Sequence, residues 1–418
     1  MAMPMPMQSI LYLFSGTTFM ILLLTLHPNL ADSITLESDI EILRSIIQSV
    51  DPNSISATSF LSTWNFANDP CENPGTHFLG VLCTIPEDNN SSHRVTEIDL
   101  EGDGLEGFLT PVIGNLTELT LLNLRTNKFR GPIPKSVINL KKLTRLILSD
   151  NFFSGTIPNG IDALKRLEII NLSDNRLSGS IPVNISNLRS LTYLSLSYNQ
   201  FSGEIPDFTG LWKLTALDLS KNQLYGNLPD FPRSLRYLSL GHNLLSGHIF
   251  TINRLVNLRE LDLSDNRLSG MIYQGVLTLP EVIHINVSSN RFTEIEVVDM
   301  SNRPSRLQTI EAQSNRLRGH LPMNLVTYDS LRDINLGHNL LSGEIPAEYG
   351  QRVGTTWRSL FLDYNMLGGS LPSRFRISSK GSKKIIRGSL AHNCLNCPTN
   401  NPVCRGGQRS PSECVNSR

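Results

Sequence analysis

The sequence carries no excess of charge of either sign, with 37 Lys and Arg against 37 Asp and Glu. A nucleic-acid surface normally needs a basic excess, so that class is set aside. Catalytic signatures are missing too. There is no H-E-x-x-H, no G-x-S-x-G and no phosphate-binding loop, and the histidines are scattered without ligand spacing. The G-x-G-x-x-G match at Gly102–Gly107 aligns letter by letter with "SDNRLSG" further along, so a repeat already accounts for two of its glycines. Cysteine is absent from Thr84 to Asn393. After Leu26 no apolar run is long enough to span a bilayer, and "SPSECVNSR" does not read as a lipid-anchor signal. No enzyme, cofactor or metal is expected.

What is present begins with a compartment. Ile10–Leu26 is uncharged and mostly apolar, with small residues following at Ala31 and Ser33. This reads as a signal peptide over 1–31 rather than a membrane anchor, although no Lys or Arg precedes it. The six cysteines agree with export: Cys71 and Cys83 lie at the front, and Cys394, Cys397, Cys404 and Cys414 at the back. They read as disulfides, not as a zinc site. Cys71–Cys83 is forced if the two groups stay at opposite ends. The back pairing is left open.

The middle is a sentence repeated. "NLSDNRLSGSIP" returns as "SLSYNQFSGEIP" 24 residues later. Aligned asparagines run from Asn127 through Asn151, Asn175, Asn199, Asn222, Asn243, Asn266, Asn290, Asn315, Asn339 and Asn365. Asp103 holds the place in a first coil and Asn393 in a degenerate last one. In "LTYLSLSYN", Leu194 and Leu196 alternate with polar residues, the signature of a strand buried on one face. The asparagine closes that strand, where its amide can bond backbone groups of neighbouring coils. Asp103, which accepts but cannot donate when ionised, suits an end coil. In "LSGEIP" the glycine permits a left-handed backbone, the isoleucine returns to the core and the proline removes a donor. A buried leucine contributes only ~1.5–3 kcal/mol, so a lone coil cannot offset its ordering cost, and coils must stack. A helix from Ser38 to Val50, capped at Ser38, is expected to cover the first coil with Ile40, Leu43, Ile46, Ile47 and Val50. Trp64 and the Cys71–Cys83 loop complete this lid, and the tail from Cys394 covers the other end.

"L-x-x-L-x-L-x-x-N-x-L-x-G-x-I-P" resembles the plant-type leucine-rich repeat. "WNFANDPCENPGTHFLGVLC" is similar to the N-terminal cap of the same proteins, with a longer gap between its cysteines. The relatives include receptor kinase ectodomains, receptor-like proteins and polygalacturonase inhibitors. The resemblance implies an α/β leucine-rich repeat solenoid, curved, with a parallel inner sheet, a second lateral sheet and disulfide-containing caps. The expected organisation is a cap over 32–94, repeats over 95–377, and a degenerate last repeat with a Cys-rich cap over 378–418. It also implies a secreted protein of the extracellular space or cell wall, or one peripheral to the plasma membrane. The implied role is recognition of an extracellular protein or peptide, a receptor kinase ectodomain among the candidates, in signalling or defence. The alternative is a wall-associated inhibitor of a polysaccharide hydrolase, or a pectin binder. The pattern breaks in the middle, where Phe250 and Tyr273 replace the proline and "RFTEIEVVDMSNRPSRL" lacks the L-x-G-x-I-P half. Drift explains this, or a lateral surface opened for a partner.

Candidate contacts come from the outward strand positions. The column six places before each asparagine includes Arg145, Tyr193, Ala216, Tyr237, Glu260, His284 and Asp333, and adjacent positions add Tyr198, Arg236, His242, Arg259, Glu311, Arg332, His338 and Tyr364. Tyrosine and arginine anchor many interfaces. The same tyrosines can also simply stabilise the sheet. Glycosylation sequons fall at Asn89, Asn90, Asn115, Asn171, Asn184 and Asn286. Asn171 and Asn286 lie within strands, so sugar there would leave the floor between them accessible. That floor holds Tyr193, Tyr198, Arg236, Tyr237, His242, Arg259 and Glu260, with His284 at its border. A basic group, Arg374, Arg376, Lys380, Lys383, Lys384 and Arg387, sits near the end as a solvated face or loop, or as a contact for acidic wall polysaccharide or an anionic membrane surface.

Overall fold

A computed structural model of the chain describes residues 34–72, 75–86, 92–375, 387–398 and 401–415. The signal-peptide segment, the sequons Asn89 and Asn90, and the basic residues Arg376, Lys380, Lys383 and Lys384 lie outside them.

Alternation decides the strands. In Tyr193–Ser195 the flanking side chains face outward or into the turn, while Leu194, and Leu196 just beyond it, are wholly buried. Leu194 stands opposite Ile170 on one side and Leu217 on the other, so each coil continues its neighbour's core. The same register holds from Arg94–Asp99 to Arg387–Ser389, giving 13 parallel strands; the antiparallel Val81–Thr84 at the N-terminal edge completes a 14-stranded sheet. The outer side is built mostly of single 3₁₀ turns such as Val183–Asn187, with short helices at Gln274–Leu277 and Tyr349–Arg352.

The asparagines act as staples. Asn199 Nδ2 donates to Leu172 O of the preceding coil at 2.9 Å and to Leu196 and Ser197 O of its own. Its Oδ1 accepts from Leu177 N of the preceding coil at 2.9 Å. One amide thus bonds four backbone groups across two coils. Asp103 ends the ladder as an acceptor, taking Ser59 Oγ at 2.6 Å and Phe60 N at 3.0 Å from the lid. No preceding coil remains for it to donate to, and a carboxylate needs none.

The residue before each asparagine is left-handed without being glycine: Asp174, Tyr198, Lys221 and His242 have φ of 52°, 53°, 52° and 56°. The "SGxIP" half turns at a true glycine, and Gly203 at φ 91° shows why, since a Cβ there would make only an ordinary contact, 3.5 Å from Ser180 Cβ, yet remain strained.

The lateral strands do not form one sheet. A nine-stranded sheet runs from Glu106–Phe108 to Arg291–Ile295, and a four-stranded one from Arg318–His320 to Cys394–Asn396. The break falls at the coil lacking L-x-G-x-I-P. Its chain leaves the sheet after Ile295 and binds the next outer turn instead: Asn324 Nδ2 donates to Val297 O at 3.1 Å, and Met300 N to Thr327 Oγ1 at 2.8 Å. Just before the break, Tyr273 in place of proline lets Arg267–Ile272 run on and pair Ile272 with Ile295. Phe250 and Tyr273 meet edge-on, with centroids 5.8 Å apart.

The first lid is a helix, Glu37–Gln48, burying Ile40, Leu43 and Ile46, with Val50 buried just beyond it. Its cap is not Ser38. Leu36 occupies the cap position without a side-chain bond, and Ser38 lies exposed in the first turn. The side chain that ties down this end is Asp39, which turns inward to Arg94 and to Val95 N instead. Trp64 Nε1 donates to Leu79 O at 2.9 Å and Cys71 pairs with Cys83. At the other end the bridges nest, Cys394 with Cys414 and Cys397 with Cys404.

Candidate functional site

The inner sheet brings Tyr193, Ala216, Tyr237, Glu260 and His284 into one row on consecutive strands, because each is its strand's first residue and the register has no offset. Tyr193 and Tyr237 are 37% and 42% exposed and flank the small Ala216, which leaves a notch between two phenol rings. Arg236 and Arg259 come one residue earlier, at the strand entry. Arg259 lies 3.7 Å from Glu281, whereas Arg236 has no side-chain partner among the described residues.

Tyr198 and His242 are not in this row. They occupy the left-handed turns where strands exit, and there they bind their neighbours. Lys221 sits over the Tyr198 ring at 4.0 Å and donates to its hydroxyl, and His242 Nδ1 is 2.7 Å from Asp265. Tyr198 and Lys221 line a shallow recess with Phe152 and Arg176, on the side that leads to the lateral sheet. Sequence spacing could not separate floor from edge, because the turn rotates the chain after the second leucine.

A second inner row was legible in the sequence only at Asn171, Asn286 and Glu311. Four places before each asparagine stand Asn171, Ser195, Asp218, Ser239, Asp262 and Asn286. The signal was the alternation itself, which presents two outward positions per strand. Asp218 accepts from Ser220 N at 3.0 Å and Asp262 from Ser264 N at 2.9 Å, closing each strand with a side-chain turn. Asn171 and Asn286 do the same with the serines of their own sequons, using Oδ1. Their Nδ2 atoms, to which sugar would attach, have no partner among the described residues. Asn184 differs, since its Nδ2 donates to Asp162 at 2.5 Å. Asn115 is exposed.

The exit turns carry the one resolved carboxylate shift near the site. Partial burial, then the negative charge of Asp150, pushes the Asp174 carboxyl above its usual range, against the pull of Lys221. A raised folded-state value means the protonated form fits the fold better. Its stabilisation is present in acid and is lost as the pH rises through the raised value. Asp174→Asn imitates the protonated form, so it should raise the melting temperature near neutral pH. The gain over wild type should shrink as the pH falls through the carboxylate range; an equal gain at every pH would contradict the assignment. Further along the same edge His338, Tyr364 and His392 stack, with centroids 4.2 and 4.1 Å apart.

Comparison with known proteins agrees with this architecture. The sequence model of the family described as Leucine Rich Repeat matches residues 142–164, 166–188, 190–211, 213–235 and 257–279. The chain is a leucine-rich repeat solenoid. The repeats are homologous to those of plant receptor-like proteins and receptor ectodomains. Receptor-like protein 18 of Arabidopsis thaliana is 36% identical over 114 residues, 27% of this chain and 13% of that protein. The match thus spans only a small part of that relative's length. Among solved structures, the TDR receptor is 30% identical with a TM-score of 0.51, covering 70% of this chain and 59% of that one. The plant peptide hormone receptor RGFR1, in complex with RGF2, is 27% identical with a TM-score of 0.51, covering 73% and 62%. Among the described residues of the solenoid, no helix is long and apolar enough to cross a membrane.

Proposed function

We propose that this solenoid is a non-enzymatic recognition module that works outside the cell, at the plant cell surface or in the wall. It binds a protein or peptide along its inner sheet, in signalling or defence. The observation that carries this is the in-register row Tyr193–Ala216–Tyr237–Glu260–His284, two exposed aromatics around a notch followed by polar groups, on a rigid sheet. Such a surface offers large contact area at little ordering cost. A receptor of similar fold holds a peptide, which supports the same class of partner here. Glycans on Asn171 and Asn286 would bracket this floor and leave it open.

The test is capture of partners from plant extracellular fluid by the tagged protein, read by mass spectrometry. A Tyr193→Ala, Tyr237→Ala, Arg259→Ala variant should lose the retained protein or peptide by about tenfold or more, since such anchors carry most of an interface's energy. Identical partners on both proteins would remove the floor from consideration.

One observation favours the second reading, an acidic wall polysaccharide. Arg236, Arg332, Arg358 and Arg387 are exposed along the inner sheet with no acidic partner among the described residues. Retention on polygalacturonate that falls steeply between low and high salt supports this reading. Salt-insensitive or absent retention rules it out.

A further inference from the structure

The C-terminal part of the inner sheet holds a recess of about 360 Å³ that begins at His284, where the tyrosine row ends. His284 stands at one end, Glu311 and Asp333 in the middle, Phe361 in the floor and Arg387 at the other end. Its charges are not spent on each other. Asp333 accepts the Ser359 hydroxyl at 2.6 Å, and among the described residues neither Glu311 nor Arg387 has a side-chain partner. Several charges elsewhere find partners on the neighbouring coil, as Arg130 with Glu106 at 2.8 Å and Arg352 with Asp329 at 2.9 Å. Here Ser359 stands between Asp333 and Arg387 on consecutive strands, so the acid and the base are held apart.

We infer that this recess takes an extended peptide with a cationic side chain and a carboxylate side chain three or four residues apart. The cation lies over Glu311 and Asp333, and the carboxylate at Arg387. The inference rests on the peptide-binding reading above and adds a sequence requirement to it. Arg387 is two strand steps from Asp333 and three from Glu311, about 10–14 Å at ~4.8 Å per step. An extended chain advances ~3.3 Å per residue, so three or four residues cover that distance. A free amino acid cannot, because its two charges are only a few ångströms apart. A uniformly acidic polysaccharide would meet Glu311 and Asp333 with like charge. Phe361 supplies an apolar floor for the residues between the two charges.

The experiment is selection of a random eight-residue peptide library, acetylated and amidated so that chain ends carry no charge, on the full-length secreted protein at low salt. Wild type should enrich a basic residue three or four positions from an acidic one. Arg387→Gln should lose the acidic preference by about tenfold and keep the basic one. Glu311→Gln with Asp333→Asn should do the reverse. Equal secretion and melting curves establish that the variants fold. Enrichment blind to charge, or variants that keep the wild-type profile, overturns the inference. If Tyr193→Ala with Tyr237→Ala abolishes selection while Arg387→Gln changes nothing, the floor stands and the recess falls. If wild type selects no peptide at all, both fall.

Discussion

Replacing Asp39 by alanine is expected to cost about 3–5 kcal/mol, the usual penalty for breaking a buried ion pair from one side. Asp39 is wholly buried in the lid helix, with Arg94 Nε at 2.9 Å, Arg94 Nη2 at 3.1 Å and Val95 N at 3.0 Å. Its removal withdraws a fork-shaped carboxylate contact from a guanidinium that is itself mostly buried. It also leaves the amide of Val95, at the start of the repeat sheet, without its acceptor. The lid and the first strand should therefore separate first, exposing the core around Val95 and Ile98. Hydrogen exchange of the amides between Val95 and Leu100 should accelerate far more than that of amides in the coil of Asn266. Joint replacement, Asp39→Leu with Arg94→Met, should recover much of the loss, because no charge is then left buried. A single variant within about 1 kcal/mol of wild type would show that the lid is held by its apolar stripe and disulfide instead.

The second large effect is on the staple. Asn290 is 7% exposed, donates to Leu263 O at 2.8 Å and accepts from Leu268 N at 2.9 Å, both in the preceding coil. Asn290→Ala leaves Leu268 N unpaired in the core and Leu263 O with only the longer bond from Asn266 Nδ2 at 3.2 Å, at an expected cost of about 1–3 kcal/mol in urea unfolding. Asn290→Asp should be no better, since a carboxylate cannot donate to Leu263, Val287 and Ser288 O. Asp103→Asn should cost less than about 1 kcal/mol, because both of its donors come from the lid and an amide oxygen still accepts from them. If Asn290→Ala and Asp103→Asn cost the same, the amide ladder does not join the coils.

Most of the fold was legible because it is periodic. An error in one coil is corrected by the next, and the leucines, asparagines and glycines each have one place they can serve. The lid helix was legible through its apolar stripe but not through its cap, since Ser38 has the right chemistry but lies two residues past the cap position at Leu36. Asp39 gave no signal, because its partner Arg94 lies 55 residues away. The candidate site was legible by column and not by direction. Tyr193 and Tyr237 faced the floor as expected, whereas Tyr198 and His242 went to the exit edge and took Lys221 and Asp265 as partners.

The sequence by itself therefore determined the repeat, its period, the buried side of each strand and the acceptor role of Asp103, because these follow from local pattern and from hydrogen-bond inventory. Only the tertiary structure decided the nested pairing of the back cysteines, the break in the lateral sheet, and which outward residues share a surface. Each of these depends on where coils lie beside one another, and residues that meet across coils are about two dozen positions apart in the chain. Stacking brings Asp333, Ser359 and Arg387 together on neighbouring strands, and no local pattern records that they will meet.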